Sequence, residues 1–213
     1  MKISIIGASA GVGLEATHQA LQQGHQVTTL SRRLDTLPDH PMLTKIQGSS
    51  TNPNDLKTAV MDVDAILVTL GTGNSTKATT LYSDSARNLI QVLREIGSTA
   101  PLIVLTGFGA GDSWNFNSIL MKILFNLFLK AVYADKTKME QLISTGYSNW
   151  EIVRPGRLIN GAGNAHYSVL DSLSKGMKVG SISRADVAHF MVLQAENPTY
   201  IGKYPAITSI HSK

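Results

Sequence analysis

Short apolar runs alternate with longer amphipathic stretches from the first residue onward. The runs that predict strands are Ile3–Ile6, Val27–Leu30, Leu43–Ile46, Ala65–Leu70, Leu102–Leu105 and Glu151–Val153. The central runs are nearly continuous in apolar residues rather than alternating, which indicates strands buried on both faces of a parallel sheet.

The stretches between these runs carry helical spacing and helix-start residues. They predict helices over Leu14–Gln23 and Thr80–Ile96, a long helical region after Leu105 to about Ile143, and helices starting at Asn52–Pro53 and at Ser183, the last reaching about Glu196. This alternation predicts an α/β fold: a doubly wound, Rossmann-like, mostly parallel sheet with helices on both faces. We see no linker or repeat, so residues 1–213 are predicted to be a single domain.

Composition narrows the possible classes of protein. The chain is 43% hydrophobic and 16% charged, which excludes a disordered or coiled-coil protein. It has no cysteine, which excludes disulfides, cysteine-based zinc sites and a thiol nucleophile, and a reducing compartment suits it. The net charge is +4 and Arg32–Arg33 is the only adjacent basic pair, so we expect no nucleic-acid partner.

The longest apolar segment, Ile119–Tyr133, is too short for a membrane span, which needs about 20 apolar residues. Lys122, Asn126 and Lys130 recur in it at every fourth position, which favours a mostly buried helix with one polar edge. A partner or membrane surface is the alternative. With no membrane span and no leader-like start at Met1, the prediction is a cytoplasmic protein.

A glycine-rich loop lies between the first strand and the first helix. It reads Gly7, Ala8, Ser9, Ala10, Gly11, Val12 and Gly13. A dinucleotide pyrophosphate needs backbone N–H donors, a helix N-terminus and no Cβ where backbone and phosphate touch. We therefore predict that this loop binds a dinucleotide; the alternative is an ordinary strand-to-helix turn.

The end of the second strand distinguishes NADP from NAD. An acid there would bond the ribose 2′-hydroxyl and repel a 2′-phosphate. Here Ser31, Arg32 and Arg33 follow Leu30, and a hydroxyl with two guanidinium groups suits a phosphate dianion. NADP(H) is the predicted cofactor, and the alternative is a solvated basic loop.

With these residues in place, the chain resembles an atypical short-chain dehydrogenase/reductase. More narrowly, it is similar to the NAD(P)H-binding group that contains biliverdin-IXβ reductase, also called flavin reductase. The resemblance covers nearly the whole chain. It rests on Gly7-Ala8-Ser9, Val27–Arg32, Leu70-Gly71-Thr72, Ser85-Ala86-Arg87-Asn88, Leu105–Gly111, Ala134-Asp135-Lys136, Arg154-Pro155-Gly156 and Ile182–Ala188.

The resemblance also implies roles for particular residues. Leu70, Gly71 and Thr72 would lie along the phosphates and ribose of the cofactor. Thr106 and Gly107 would lie beside the nicotinamide, and Lys136 close to its ribose. Arg154-Pro155-Gly156, with Pro155 and Gly156 as cofactor contacts, would form the wall behind the nicotinamide.

Several positions depart from the family patterns. Carbonyl-reducing members place Tyr four residues before the Lys, where this chain has Val132; Tyr133 stands three before. The biliverdin-reductase group has serine where Gly107 stands, and its pocket histidines correspond to Lys136 and Arg157. Ser49 replaces the usual Asp after the glycine of the third strand.

These departures bear on the chemistry. Ketone reduction needs a positioned proton donor, and here it would have to come from Thr106, Tyr133 or Lys136. Flavins, quinones and tetrapyrroles spread the incoming charge and can take their proton from water. We therefore predict an NADPH-dependent oxidoreductase that passes hydride to a planar conjugated acceptor, with Thr106 and Lys136 as catalytic candidates.

Alternatives remain open for the whole chain and for single residues. The chain could be a non-catalytic NADP(H)-binding redox sensor that acts through a protein partner; a sugar-nucleotide epimerase relative is disfavoured by the absent Tyr. Lys136 could merely pair with Glu140 on the surface, and Thr106 could merely bond backbone.

The acceptor pocket is predicted in the C-terminal half of the chain. Phe108 and Trp114 could stack an aromatic acceptor or pack in the core, and Arg157 is the third pocket candidate. FMN or another flavin would be a substrate rather than a prosthetic group. No ligand spacing indicates a metal. A monomer or homodimer is expected.

Overall fold

The computed structural model describes residues 1–73, 75–117, 122, 129–174 and 176–210. Their strands are β1 Lys2–Ile6, β2 Gln26–Ser31, β3 Leu43–Gln47, β4 Ala65–Val68, β5 Leu102–Leu105, β6 Trp150–Pro155, β7 Arg157–Ile159, β8 Tyr167–Leu170, β9 Ser181–Ser183 and β10 Ala206–Ser209. Their helices are α1 Gly11–Gln22, α2 Pro53–Val60, α3 Leu81–Glu95, a 3₁₀ helix Gly111–Phe116, α4 Lys130–Gly146 and α5 Arg184–Glu196.

The main sheet has eight strands in the order β3-β2-β1-β4-β5-β6-β10-β8. All neighbours pair parallel except β10 with β8. The first six positions follow the order of dinucleotide-binding sheets, in which the chain reverses direction of travel between β1 and β4. The predicted fold class is confirmed, and the crevice at the carboxyl ends of β1 and β4 is where such sheets bind ligands.

Apolar side chains on the two faces of the sheet form two cores. Ile103 and Leu105 of β5 belong to the core that includes residues of α1 and α5, whereas Leu102 and Val104 belong to the core with residues of α2, α3 and α4. Each central strand must fill both cores, which explains why its sequence is continuously apolar.

Two predicted helix starts are confirmed by their hydrogen bonds. The Asn52 side chain accepts from the Asn54 N–H at 2.9 Å, with Pro53 at the first helical position. The Ser183 hydroxyl accepts from the Asp186 N–H at 2.9 Å. Both caps satisfy N–H groups that the helix itself leaves without partners.

Some element predictions are wrong in extent. The first helix begins at Gly11 rather than Leu14, and the fourth strand ends at Val68 rather than Leu70. The region after Leu105 contains a 3₁₀ helix, while the predicted helix Ile119–Tyr133 lies largely outside the described residues.

Strands β7 to β10 were not predicted. β7 and β8 have only partly buried or exposed positions, β9 has three residues and β10 has four, so their sequences lack the continuous apolar pattern of the central strands. Within the described ranges, no helix is long and apolar enough to cross a membrane.

Candidate functional site

The glycine loop is shaped by close backbone approaches. Gly7 has φ +92°, and a Cβ there would lie 3.0 Å from the backbone of Thr69 at the end of β4. A Cβ on Gly13 would collide with the Gly7 carbonyl oxygen and the Thr69 hydroxyl. The loop is thus drawn against β4 at the first turn of α1, where backbone N–H groups have no intrahelical acceptor. These features fit the pyrophosphate of a dinucleotide.

The loop is also held by β2 and the segment after it. The Ser9 N–H donates to the Ser31 hydroxyl at 3.1 Å, and the Thr36 hydroxyl donates to the Ser9 carbonyl at 2.6 Å. Ala8 and Val12 are buried, whereas Ala10 is exposed. The structure therefore places Ser31 directly beside the loop, as a cofactor site would require.

Arg32 and Arg33 are exposed just beyond Ser31. Neither guanidinium forms an ion pair with any of the residues that the structure describes. The Arg32 carbonyl accepts from the Gln47 side chain at 3.4 Å. Within the described part of the chain, both cations therefore lack an anionic partner just beyond the Ser31 hydroxyl that contacts the glycine loop.

The segment after β4 faces the same crevice. Leu70 and Thr72 are half-buried and Gly71 is exposed. A Cβ on Gly71 would lie 4.0 Å from its nearest neighbour, the Gly73 nitrogen, so the space beside Gly71 is open. The Tyr82 hydroxyl on α3 interacts with Thr72, and burial raises the pKa of Tyr82. These three residues lie at the carboxyl edge next to the glycine loop.

Thr106 follows β5 and belongs to a buried polar network. Its hydroxyl donates to Glu140 Oε1 at 2.7 Å. Arg154 donates from Nε and Nη2 to the two Glu140 oxygens at 3.1 and 2.7 Å, and from Nη1 to Asp112 at 2.6 Å. The Arg154 guanidinium also lies 4.2 Å from the ring centroid of Tyr204.

The Glu140 and Arg154 charges stabilise each other because both groups are buried. Glu140 and Arg154 are each 2% exposed. Burial disfavours the Arg154 cation, but the hydrogen bonds and charges of Glu140 and Asp112 prevail and raise the pKa of Arg154. The alternative of Glu140 as a surface partner of Lys136 is therefore wrong.

Lys136 lies between the end of β5 and two aromatic rings. Its ammonium donates to the Thr106 carbonyl oxygen at 2.6 Å and lies 5.3 and 5.1 Å from the ring centroids of Tyr82 and Tyr133. Burial lowers the pKa of Lys136 to about 8, against the opposing charge of Glu140. The predicted catalytic candidates Thr106 and Lys136 are thus in contact.

Gly107 and Tyr133 fit each other. A Cβ on Gly107 would lie 2.8 Å from the Tyr133 hydroxyl. Any side chain at position 107, the serine of the similar group included, would meet that hydroxyl. Burial raises the pKa of Tyr133 to about 12. Although Tyr133 is three residues before Lys136, its hydroxyl still reaches the end of β5.

Asp135 has a structural role that the sequence did not indicate. Its buried carboxylate accepts from the backbone N–H groups of Tyr82 and Ser83 at 2.9 and 3.4 Å. These are N–H groups of the first turn of α3, for which Thr80 provides no side-chain cap. Asp135 therefore holds the start of α3, which carries Tyr82, against the turn of α4 that carries Lys136.

The remaining predicted residues lie at the end of β6, at the start of β7, and in the segment and 3₁₀ helix that follow β5. Pro155 is buried, and its carbonyl accepts from the Phe108 N–H at 2.8 Å. A Cβ on Gly156 would collide with the Gly180 carbonyl, so this glycine permits the pairing of β7 with β9. Phe108 is 7% exposed. Trp114 is half-buried, and Arg157 is exposed.

Sequence analysis did not indicate the site roles of Tyr82 and Arg184, and it did not indicate that Glu140 is buried. Arg184 lies against the glycine loop: a Cβ on Gly11 would be 3.6 Å from its Nε. Glu140 could have been suspected because it is four residues after Lys136 and so shares its helical face. Tyr82 and Arg184 carry no such local signal.

Among the curated proteins that match this chain, one matches over a long span and another over a short one. The chain is 25% identical over 202 residues to an uncharacterized sugar epimerase, YhfK, of Bacillus subtilis, covering 90% of this chain and 86% of that protein. It is 37% identical over 68 residues to a 3-beta-hydroxysteroid dehydrogenase of Mycolicibacterium neoaurum, but this match spans only 19% of that protein and 32% of this chain.

Solved structures match over nearly the full length. An anaerobillin reductase from Escherichia coli, ChuY, has a TM-score of 0.82 at 22% identity, covering 100% of this chain and 99% of that one. A short-chain dehydrogenase/reductase from Veillonella parvula in complex with NADP has a TM-score of 0.81 at 20% identity, with coverage of 98% and 94%. A protein of Streptococcus pneumoniae proposed to be an NADH-flavin reductase has a TM-score of 0.79 at 21% identity, with coverage of 99% and 100%.

At these identities the structures establish the fold, and the family comes from a separate comparison. The model of a family described as NAD(P)H-binding matches residues 7–198, from the first glycine of the loop to just beyond α5. The matched span contains the glycine loop, Lys136 and the Thr106 network. The chain belongs to this NAD(P)H-binding family.

Proposed function

We propose that the protein is an NADPH-dependent reductase that passes a hydride to a planar conjugated acceptor such as a flavin, a quinone or a tetrapyrrole of the biliverdin type. The observation that carries this proposal is the bond from the Thr106 hydroxyl to Glu140 Oε1 at 2.7 Å. Because the Thr106 hydroxyl has one hydrogen and donates it to a buried carboxylate, this hydroxyl can only accept a hydrogen bond from a ligand.

The other two candidate proton donors differ in acidity. Lys136 commits one of its three N–H donors to the Thr106 carbonyl, and burial lowers its pKa to about 8. Tyr133 is a weak acid, since burial raises its pKa to about 12. Among Thr106, Tyr133 and Lys136, a substrate whose reduction creates a localised alkoxide would find one group that is acidic near neutral pH, the Lys136 ammonium, and this ammonium already bonds the Thr106 carbonyl. A conjugated acceptor spreads the charge and can be protonated by water, so it suits these residues.

The residues present would bind and orient the cofactor rather than take part covalently. Bound NADPH would supply the hydride. The glycine loop would hold the pyrophosphate, Leu70–Thr72 would line the ribose, and Lys136 would lie near the nicotinamide ribose. Thr106, Gly107, Pro155 and Gly156 would bound the nicotinamide and exclude water from one side.

We place the acceptor in the C-terminal half of the chain. Trp114 is half-buried and presents aromatic surface, while buried Phe108 would form a wall. Exposed Arg157 would pair with an anionic substituent such as the phosphate of FMN. The reductases of Escherichia coli and Streptococcus pneumoniae described above support this acceptor class through their fold. A cytoplasmic location and a monomer or homodimer remain predictions from sequence.

The experiment is NADPH oxidation by the purified protein with FMN, a quinone, biliverdin and a simple aldehyde, each against a control without protein. We expect saturable turnover with at least one conjugated acceptor and little with the aldehyde. Comparable rates with the aldehyde would contradict the proposal. Binding of NADPH without any turnover would favour the second candidate, a non-catalytic NADP(H) sensor, which the absence of the family tyrosine at position 132 also allows.

Arg32→Ala tests the choice of NADPH. Because Arg32 is exposed and unpaired among the described residues, its loss should not disturb the fold. We expect NADPH affinity to fall about tenfold or more and NADH affinity to change little, since only NADPH carries the 2′-phosphate. Titration by cofactor fluorescence measures both, with Arg87→Ala, an exposed arginine of α3, as the control. Equal losses for both cofactors would refute the assignment.

A further inference from the structure

Arg184, the first residue of α5, lies against the glycine loop although it is 173 positions beyond Gly11. A Cβ on Gly11 would lie 3.6 Å from the Nε and 3.7 Å from the Cδ of Arg184. Gly11 begins α1 and has φ +57°. The cationic side chain therefore runs beside the N-terminus to which a pyrophosphate would bind.

The local charges favour an anion at this place. The first turn of α1 contains no acidic residue, and Ala10 offers no side-chain cap. A guanidinium has five N–H donors, and Arg184 uses Nη1 to donate to the Asn160 side-chain oxygen at 2.8 Å. Donors remain for phosphate oxygens, which Arg binds in a fork-like geometry.

The same turn of α5 holds the loop that contains Asn160. Asp186 accepts from the backbone N–H groups of Asn164 and Ala165 at 2.9 and 2.8 Å. Ala165 has φ +55°, a conformation that costs free energy without such contacts. The loop 160–165 is otherwise exposed, and it follows β7, where Arg157 begins the proposed acceptor side.

We propose that Arg184 binds the cofactor pyrophosphate and, through Asn160, couples occupation of the cofactor site to the order of the loop 160–165. The inference rests on dinucleotide binding, which the family provides, and on the proposed placement of the acceptor. A phosphate that fixes the guanidinium also fixes its bond to Asn160. The cofactor would thereby prepare the loop that borders the acceptor before the acceptor binds.

The first test separates the pyrophosphate from the 2′-phosphate. Affinities of Arg184→Gln are measured for NADPH, NADH and 2′-AMP, which lacks a pyrophosphate. We expect losses of about 10- to 100-fold for both dinucleotides and little change for 2′-AMP, because one charge-assisted contact is removed. Arg32→Ala should give the reverse pattern, losing NADPH and 2′-AMP but keeping NADH.

Controls make the outcomes distinct. Arg87→Gln removes an exposed arginine and should leave all three affinities unchanged, and Arg184→Lys should restore part of the loss. Unchanged dinucleotide affinity in Arg184→Gln, or an equal loss for 2′-AMP, would overturn the assignment. If the unsubstituted protein bound NADH and NADPH with equal affinity, the proposed cofactor choice would be refuted. The role of Arg184 would still be tested by the loss of NADH affinity in Arg184→Gln.

The second test addresses coupling to the loop. Amide hydrogen exchange in a peptide covering residues 157–166 should slow on addition of NADPH. In Asn160→Ala this protection should be largely lost while NADPH affinity stays within about threefold, since the guanidinium itself is intact. Protection that persists in Asn160→Ala, or that is absent in the unsubstituted chain, would overturn the coupling.

Discussion

Glu140→Ala should lower the free energy of unfolding by about 3–5 kcal/mol, as expected when one partner of a buried ion pair is removed. Glu140 and Arg154 are each 2% exposed, and Glu140 accepts three hydrogen bonds, one from Thr106 and two from Arg154. Its removal leaves Asp112, whose side chain is 66% exposed, as the one carboxylate that pairs with the guanidinium among the described residues. The uncompensated buried charge is the main cost.

Urea unfolding monitored by circular dichroism measures this change as a shift in midpoint at constant slope. Asp39→Ala is the matched control. Asp39 forms an ion pair with Lys45 at 2.6 Å, but the Asp39 side chain is fully exposed. Exposed pairs contribute little, so the control should unfold near the midpoint of the unsubstituted protein. A midpoint for Glu140→Ala close to that of Asp39→Ala would contradict the prediction.

A double substitution tests the cause. Glu140→Met with Arg154→Met removes both charges and keeps apolar volume, so no buried charge is left alone. We expect it to cost clearly less than the sum of the two single substitutions, because the singles each leave an unpaired charge. Additive costs would mean that packing, rather than charge, accounts for the loss.

Much of the fold was predictable because it depends on local sequence. The continuous apolar runs of β1, β4 and β5 follow from burial on both faces, and Asn52 and Ser183 cap helices through hydrogen bonds to residues two or three positions away. The missed strands β7 and β9 pair with each other, and position 156 requires glycine because the Gly180 carbonyl lies against it. Their positions depend on a partner distant in sequence.

The candidate site shows the same division. The glycine loop was recognisable because its spacing and neighbouring strand lie within a few residues of each other. By contrast, Glu140 bonds Arg154 because α4 crosses the end of β6, and Arg184 meets Gly11 because α5 packs beside α1. Tyr133 stands one position after that of the family tyrosine, but its long side chain still reaches Gly107.

Glu151 is a second buried carboxyl group whose burial the sequence did not indicate, since it stands at the start of an apolar run. It is 0% exposed, and neither carboxyl oxygen has a hydrogen-bond partner among the described residues. Its cross-strand neighbour Ile103 and Val153 in its own strand belong to the core shared with α1 and α5. Burial raises the pKa of Glu151 to about 8, and the backbone of Tyr200 offsets only part of this shift.

Stability should therefore fall with rising pH through this group. The ordinary pKa of the side chain is 4.5, so between about pH 4.5 and pH 8 the folded chain keeps a proton that the unfolded chain has lost. In that window the free energy of unfolding falls by up to about 1.4 kcal/mol per pH unit from this group. Below the window both states are protonated, and above it both are ionised, so the contribution is constant.

Glu151→Gln removes this titration while nearly keeping the shape. Relative to the unsubstituted protein, the variant should be similar near pH 5 and more stable near pH 9, by an amount on the order of 4 kcal/mol. Urea midpoints at a series of pH values measure the difference, with Glu95→Gln, an exposed glutamate of α3, as the control for loss of one carboxyl. A constant difference between Glu151→Gln and the unsubstituted protein across this range would show that Glu151 ionises equally in both states. The carboxyl would then have to be hydrated or paired in the folded protein, so its oxygens could not be buried without a hydrogen-bond partner.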